Sequence, residues 1–302
     1  MLHYNKNCHI LSIRLIHLVL LGGFLLYSSG GSAQSGWTKP KGELFSRIGY
    51  QYFSSDQYYN LAGNKIQTSQ YKQHTISLYG EYGLTDRLTI LLDWPVFKSH
   101  RFETSESIEG WGDIKAGLKY AIAKKIPVSF SIIPEIPIAR ANRYASNLSN
   151  PDFNINLPTG DGEFNVFNVL AISASLYPLP IYFNLFAAYN LRTKYENLKL
   201  SDQMLYGLEL GGKVFDIAWL KGAIKMQNTL STGTTEVSFV RGEGTEYSSL
   251  NLGVYVPVFS GWGIDVNYFD YIRLIQKRKN IYDAPTFSIG LVYEIKGKEE
   301  SP

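Results

Sequence analysis

Short segments in which apolar and polar side chains alternate residue by residue recur along most of this sequence. The clearest runs from Arg87 to Lys98, where Leu88, Ile90 and Leu92 fall on one face and Thr89 on the other. Successive side chains of a β-strand point to opposite faces, whereas a helix would distribute these residues around its axis. The alternation therefore predicts β-strands with one apolar face.

About twelve such segments follow one another, separated alternately by very short and by long polar connections. They cover, approximately, residues 42–53, 71–82, 87–98, 113–122, 127–140, 163–176, 181–191, 203–213, 218–228, 248–258, 263–271 and 284–295. Pro134 and Pro137 predict that the later half of the fifth segment is irregular, because proline cannot donate to a strand ladder.

No charged residue occurs between Phe164 and Leu191, a pattern that would also suit a membrane helix. Pro178 and Pro180 lie in the middle of this stretch, and a proline inside a helix costs about 3 kcal/mol. Asparagines such as Asn184 would each need a buried partner in lipid. We therefore interpret the stretch as two strands joined by a short turn.

Residues 1–33 have the features of a cleavable signal peptide. Lys6 and Arg14 make its start positive, the run from Leu18 to Tyr27 is apolar, and small residues lead up to Ala33. A membrane-spanning helix requires roughly 20 apolar residues, so an uncleaved anchor is the weaker alternative. We predict cleavage after Ala33.

Removing this segment changes the charge and the cysteine content. The whole chain has 29 lysines and arginines against 26 acidic residues, and the loss of Lys6 and Arg14 leaves 27 against 26, a net charge of +1. This small excess argues against nucleic acid as a partner, which usually requires a basic surface. The only cysteine, Cys8, is lost with the signal peptide, so we expect neither disulfides nor thiolate metal sites in the remainder.

The chain contains 22 tyrosines, and aromatic residues make up 14% of it, as expected of side chains that meet a membrane interface. A soluble β-sandwich would also alternate, but it would not explain the succession of short and long connections. We predict an all-β fold, a transmembrane antiparallel β-barrel of about 12 strands with short periplasmic turns and long extracellular loops. The barrel would occupy residues 34–302 and end in a short periplasmic tail, residues 296–302.

Three segments between Tyr82 and Glu163 carry a more specific resemblance. Residues 82–88 are YGLTDRL, residues 110–120 are GWGDIKAGLKY, and residues 157–162 are LPTGDG. The first resembles a turn found in many outer-membrane proteins, and the other two resemble motifs of the meta-pathway phenol-degradation family. The resemblance to that family implies an outer-membrane transporter with a channel. It implies no catalytic residue in this chain. The charged tail after the last strand departs from barrels that end on an aromatic residue.

The faces opposite the apolar ones are predicted to line the barrel lumen, and they are charged. The candidate lumen-lining residues are Arg47, Arg87, Asp93, Asp113, Lys115, Lys119, Glu209, Lys213, Lys221, Lys225, Asp265 and Glu294. Glu43, Glu81 and Glu135 share these faces. Because buried charges are costly unless they are paired, we interpret most of them as ion pairs that brace the barrel. The alternative is a charged constriction that selects solutes.

These features predict a passive outer-membrane channel for small hydrophobic or aromatic molecules, narrower than the porins of about 16–18 strands. We expect the lipid bilayer, a small-molecule solute and the barrel-assembly machinery as partners, and neither a cofactor nor a metal. The loop from Ala141 to Gly162 is predicted to be a solvated surface loop, with an inward-folded constriction as the alternative.

Two other functions remain open, a lipase-like outer-membrane enzyme and a structural or surface-binding barrel with a closed lumen. His74 and His100 are the two histidines that remain after cleavage, and His74 lies on the predicted lipid-facing side. A hydrolase would need a serine with a neighbouring base, and the sequence has no Gly-x-Ser-x-Gly segment. We therefore expect no catalytic residue.

Overall fold

The computed structural model describes residues 34–231 and 242–297, and these residues form a barrel wall of twelve strands. The strands are β1 Leu44–Tyr59, β2 Lys65–Thr85, β3 Leu88–Phe102, β4 Ile114–Ala123, β5 Val128–Ile136, β6 Asn165–Ser175, β7 Ile181–Arg192, β8 Gln203–Val214, β9 Ala218–Thr229, β10 Tyr247–Phe259, β11 Trp262–Ile272 and β12 Thr286–Ile295. The predicted signal peptide and most of the predicted periplasmic tail lie outside the described residues.

The pairing of the first and last strands closes the barrel. β1 pairs antiparallel with β12, from Leu44 opposite Ile295 to Tyr52 opposite Phe287, and with β2 on its other side. Every other wall strand pairs with the strands before and after it in sequence. A closed ring leaves no unpaired strand edge, so the backbone of the wall needs no water as a partner. The predicted fold class, an all-β antiparallel barrel of 12 strands, is confirmed.

The strand alternation places apolar side chains on the outside of the barrel. On β7, Leu185 and Leu191 are exposed, whereas Asn184 and Phe186 are buried inside. Other exposed outward residues are Ile48, Ile90, Leu118, Ile132, Leu170, Leu208, Leu220, Ile264, Phe287 and Ile289. Such an extensive apolar surface is unfavourable in water and matches the lipid-facing band of a membrane barrel.

The two ends of the barrel differ in the length of their connections. Tight turns, such as residues 86–87 and 260–261, lie at the end where β1 begins and β12 ends. Most connections at the opposite end are longer, and some contain small two-stranded ribbons, such as Tyr144–Ser146 paired with Asn154–Asn156. No helix among the described residues is long and apolar enough to cross a membrane. By analogy with bacterial barrels, we refer to the short-turn end as periplasmic.

The prediction that residues 141–162 form a solvated loop is confirmed for the exposed residues 148–154 and wrong for the buried residues 157–160. Leu157 is completely buried, and it packs with Tyr71, Ile108 and Tyr282 at the extracellular end of the barrel. The carbonyl oxygen of Leu157 lies 3.2 Å from His100 Nε2. Ala145 and Leu157 therefore fold inward, because the barrel mouth is itself lined with aromatic rings that bury them, whereas Leu148 and Phe153 stay exposed.

Candidate channel in the barrel lumen

Three cavities lined by described residues lie next to one another in the lumen. The largest, the vestibule, has a volume of about 1010 Å³ and lies at the periplasmic end, where Lys213, Trp219 and Glu294 line it. The mid-lumen cavity has about 380 Å³. A side pocket of about 220 Å³ lies next to both. Together they outline a path from the periplasmic opening into the middle of the barrel.

One wall of the mid-lumen cavity is apolar. Inward-facing side chains of neighbouring strands form it, namely Leu91, Ile133, Phe167, Val169, Phe186, Ala188 and Leu205. Strands β8 to β10 complete the lining with polar side chains, Gln203, Gln227, Ser249 and Asn251. The cavity is therefore amphipathic, which is the usual composition of a site for a small organic molecule.

Two lysines from the predicted set reach the mid-lumen cavity, and each lies over an aromatic ring. Lys115 Nζ is 5.1 Å from the centroid of the Phe167 ring, and Lys225 Nζ is 6.0 Å from that of Phe186. Lys115 also forms an ion pair with Glu135 at 3.0 Å. Asp93 lines both this cavity and the vestibule. The cavity thus offers charged groups and ring faces to a solute at the same time.

Other charges of the predicted set form buried ion pairs on the barrel wall. Arg47 Nε lies 2.8 Å from Asp265 Oδ2, and Lys119 Nζ lies 3.2 Å from Glu81 Oε2. Arg47 on β1 reaches Asp265 on β11 across β12, over Gly290, where a Cβ would lie only 2.1 Å from Asp265 Oδ1. Each pair links two strands that are separated by a third strand. The pairs therefore resist distortion of the barrel's cross-section.

The remaining predicted residues occupy different places. Lys213, Lys221 and Glu294 line the vestibule, and Glu209 lines the side pocket, where it accepts hydrogen bonds from Tyr182 and Asn184. The prediction that Arg87 lines the lumen is wrong. Arg87 lies in the turn between β2 and β3 and is exposed, because the strand begins one residue later than predicted.

Asp113 fastens the inward-folded loop rather than lining a cavity. Its carboxylate accepts hydrogen bonds from the backbone N–H groups of Ala139, at 2.9 Å, and Asp161, at 3.1 Å. Burial raises the pKa of the Asp113 carboxyl, although the two N–H donors oppose the rise. Asp113 therefore connects the start of β4 to both ends of the loop.

The chain that precedes β1 also enters the lumen. We call residues 34–39 the N-terminal strap, because four inward-facing side chains of β3 to β6 bond to its main chain. The bonds run from Ser129 Oγ to Ser35 O (2.9 Å), from Gly36 N to Ser173 Oγ (2.7 Å), from Lys119 Nζ to Trp37 O (3.2 Å) and from Lys39 N to Thr89 Oγ1 (2.8 Å). The strap thus crosses the inner wall near the periplasmic end.

Sequence reasoning did not identify the apolar wall or the strap. The uncharged stretch from Phe164 to Leu191 is a usable signal for the wall, since β6 and all of β7 before Arg192 lack charges, and their inner face must then be apolar or neutral. The strap has no such signal, because its bonds are made by side chains far away in sequence.

His74 lies on the outside of the barrel, as predicted. Its Nδ1 atom is 2.8 Å from the hydroxyl oxygen of Tyr50, and its ring lies beside that of Tyr52. An outward cluster of amphipathic aromatic rings suits a membrane interface. Within the described residues, no group of three or more His, Cys, Asp or Glu side chains is arranged to hold a metal ion.

A closed barrel with an apolar outer surface and a partly polar lumen defines the class of outer-membrane β-barrels. Comparison with solved structures agrees. An outer-membrane channel from Pseudomonas putida F1 matches with a TM-score of 0.62 and 16% sequence identity, over 89% of this chain and 100% of that chain. The translocator domain of the autotransporter NalP from Neisseria meningitidis matches with a TM-score of 0.50 and 12% identity, over 96% and 98%.

These likenesses establish the fold. No protein-family model matches the sequence, and no curated protein matches it. The resemblance of residues 110–120 and 157–162 to the meta-pathway family therefore has no support from a family model.

Proposed function

We propose that this protein is a channel of the bacterial outer membrane through which small molecules with an apolar or aromatic body and a polar group diffuse passively. A signal peptide that ends at Ala33 would direct it to export, and the barrel-assembly machinery would insert it into the membrane. The observation that carries the proposal is the mid-lumen cavity, which joins an apolar wall to a polar one.

The geometry of this cavity supports solutes with two kinds of surface. Phe167 and Phe186 present aromatic faces, and Lys115 and Lys225 lie over them. A ring can pack against the apolar wall while its polar substituent meets the amides and hydroxyls of β8 to β10. A purely charged lumen would instead favour ions and sugars. The size of about 380 Å³ fits a small molecule.

Single-channel recording of refolded residues 34–302 in a planar bilayer tests the proposal. We expect discrete current steps, with reversible block by phenol or benzoate and weaker block by glucose. Phe186→Ala removes a ring from the cavity and is expected to weaken the block by the aromatic solutes. Phe183→Ala, on the same strand but facing outward, is the matched control and is expected to behave as wild type.

Each negative result has a defined meaning. Equal block of wild type and Phe186→Ala would show that the mid-lumen cavity does not bind the solute. A silent bilayer, with folding verified by heat-dependent gel mobility, would favour the barrel with a closed lumen.

A further inference from the structure

The N-terminal strap lies at the two boundaries that the side pocket shares with the other cavities. Gln34 lines both the mid-lumen cavity and the side pocket, and Trp37 lines both the side pocket and the vestibule. The Trp37 ring also meets the ring of Tyr182 edge-on at 5.8 Å. The mid-lumen cavity and the vestibule also meet directly, at Tyr79 and Asp93. Residues 34–37 therefore lie on the route that runs through the side pocket.

The strap is attached to the wall differently from the strands. Within the described chain, residues 34–39 belong to no strand, and the four bonds given above join their main chain to side chains of the wall. Such bonds can be exchanged for water one at a time, whereas a strand ladder breaks cooperatively. The strap can consequently detach from the inner wall while the closed ring of twelve strands stays intact.

Gly36 is a point of very close approach between the strap and the wall. A Cβ at this position would lie 2.1 Å from Pro127 O and 2.8 Å from Ser173 N. Both atoms belong to the backbone, and Ser173 N donates a hydrogen bond to Pro127 O at 2.9 Å. The wall cannot retreat at this point without breaking that bond, so any side chain at position 36 must lift the strap.

We propose that residues 34–39 are the size-limiting element of the channel, a strap held against the wall at Gly36 that narrows the lumen where the side pocket meets the other two cavities. This inference rests on the proposed channel function. The strap, rather than a ring of wall side chains, sets the largest solute that crosses the barrel. Its first residue directly follows the predicted cleavage site, so removal of the signal peptide would leave the strap as the free end of the chain.

The test compares unitary conductance in four proteins, wild-type residues 34–302, Gly36→Ala, Gly80→Ala and a chain shortened to residues 40–302. Gly80→Ala is the matched control, because a Cβ at Gly80 has only Phe45 O nearby, at 3.8 Å. We expect Gly36→Ala and the shortened chain to conduct roughly twofold or more above wild type, since a constriction dominates the resistance of a pore. Liposome swelling with sugars of increasing size should show a larger exclusion limit for the same two proteins.

The outcomes separate this proposal from the channel function. If wild type conducts and the folded variants conduct equally, the channel stands and the strap is not its limiting element. If wild type is silent and the shortened chain conducts, the strap closes the lumen entirely, which supports the proposal. Silence in all four folded proteins overturns both. The shortened chain has no strap to reseat, so it decides the question if Gly36→Ala does not fold.

Discussion

At the scale of single residues, charged side chains in the narrow lumen are held as ion pairs between strands on the inner face of the wall. Arg47 and Asp265 are both nearly buried, with 8% of each side chain exposed, and Arg47 also contacts Ser288. Removing one partner of a buried pair leaves the other charge without compensation, which is more costly than replacing both. The glycine at position 290 is what lets the pair lie flat against β12.

Asp265→Ala is therefore expected to lower the free energy of unfolding by about 3–5 kcal/mol, measured by urea unfolding in lipid vesicles with tryptophan fluorescence. The double variant Arg47→Met/Asp265→Leu should recover most of this loss, because it leaves no buried charge. Asp216→Asn removes the ion pair with Lys213 in an exposed turn, keeps a side chain that tolerates the positive φ of this position, and is expected to leave stability unchanged. An equal effect of Asp265→Ala and Asp216→Asn would contradict the bracing role.

At the scale of elements, the inward-folded loop of residues 137–164 is held by hydrogen bonds to β3 and to Asp113 at the start of β4, and its position can be tested directly. Leu157→Cys places a thiol at a fully buried position, and in a protein expressed as residues 34–302 it is the only thiol. We expect slow labelling by a thiol reagent, and labelling roughly tenfold or more faster when Asp113→Ala is added, since two hydrogen bonds to a charged acceptor are lost. Leu148→Cys, in an exposed part of the loop, should label rapidly in both backgrounds. Fast labelling of Leu157→Cys alone would show that the loop does not stay folded inward.

The sequence predicts the strands far better than the segments that fill the barrel. β4 and β6 to β12 begin and end within two residues of the predicted bounds, because period-two alternation is a local signal that ends where polar turn residues begin. β5 ends at Ile136, next to the prolines that predicted its irregular end. β1 and β2 extend further than predicted, since polar residues such as Ser54 and Thr68 interrupt the alternation. The strap and the buried loop depend on contacts between residues far apart in sequence, which alternation does not report.

At the scale of the whole molecule, the closed ring of strands and the apolar outer surface are both needed for the barrel to be stable in a membrane. The ring pairs every wall strand on both sides, and this pairing is what allows a backbone to cross hydrocarbon. The outward leucines and isoleucines then meet lipid instead of a second sheet, which a soluble sandwich would need to cover them. A lumen that is polar in part and apolar in part remains available for solutes because the outer surface supplies the lipid contact.

This arrangement predicts a strong dependence on depth for a charge added to the outer surface. Leu170 is 46% exposed near the middle of β6, whereas Leu179 is 57% exposed in the turn that follows this strand. Leu170→Arg is expected to lower the free energy of unfolding in vesicles by about 2–4 kcal/mol, and Leu179→Arg by at most about 1 kcal/mol. Both changes put the same charge on an exposed leucine, so their difference measures the surrounding medium. Equal effects would place the outer surface in water, and the membrane assignment, together with the channel that depends on it, would have to be abandoned.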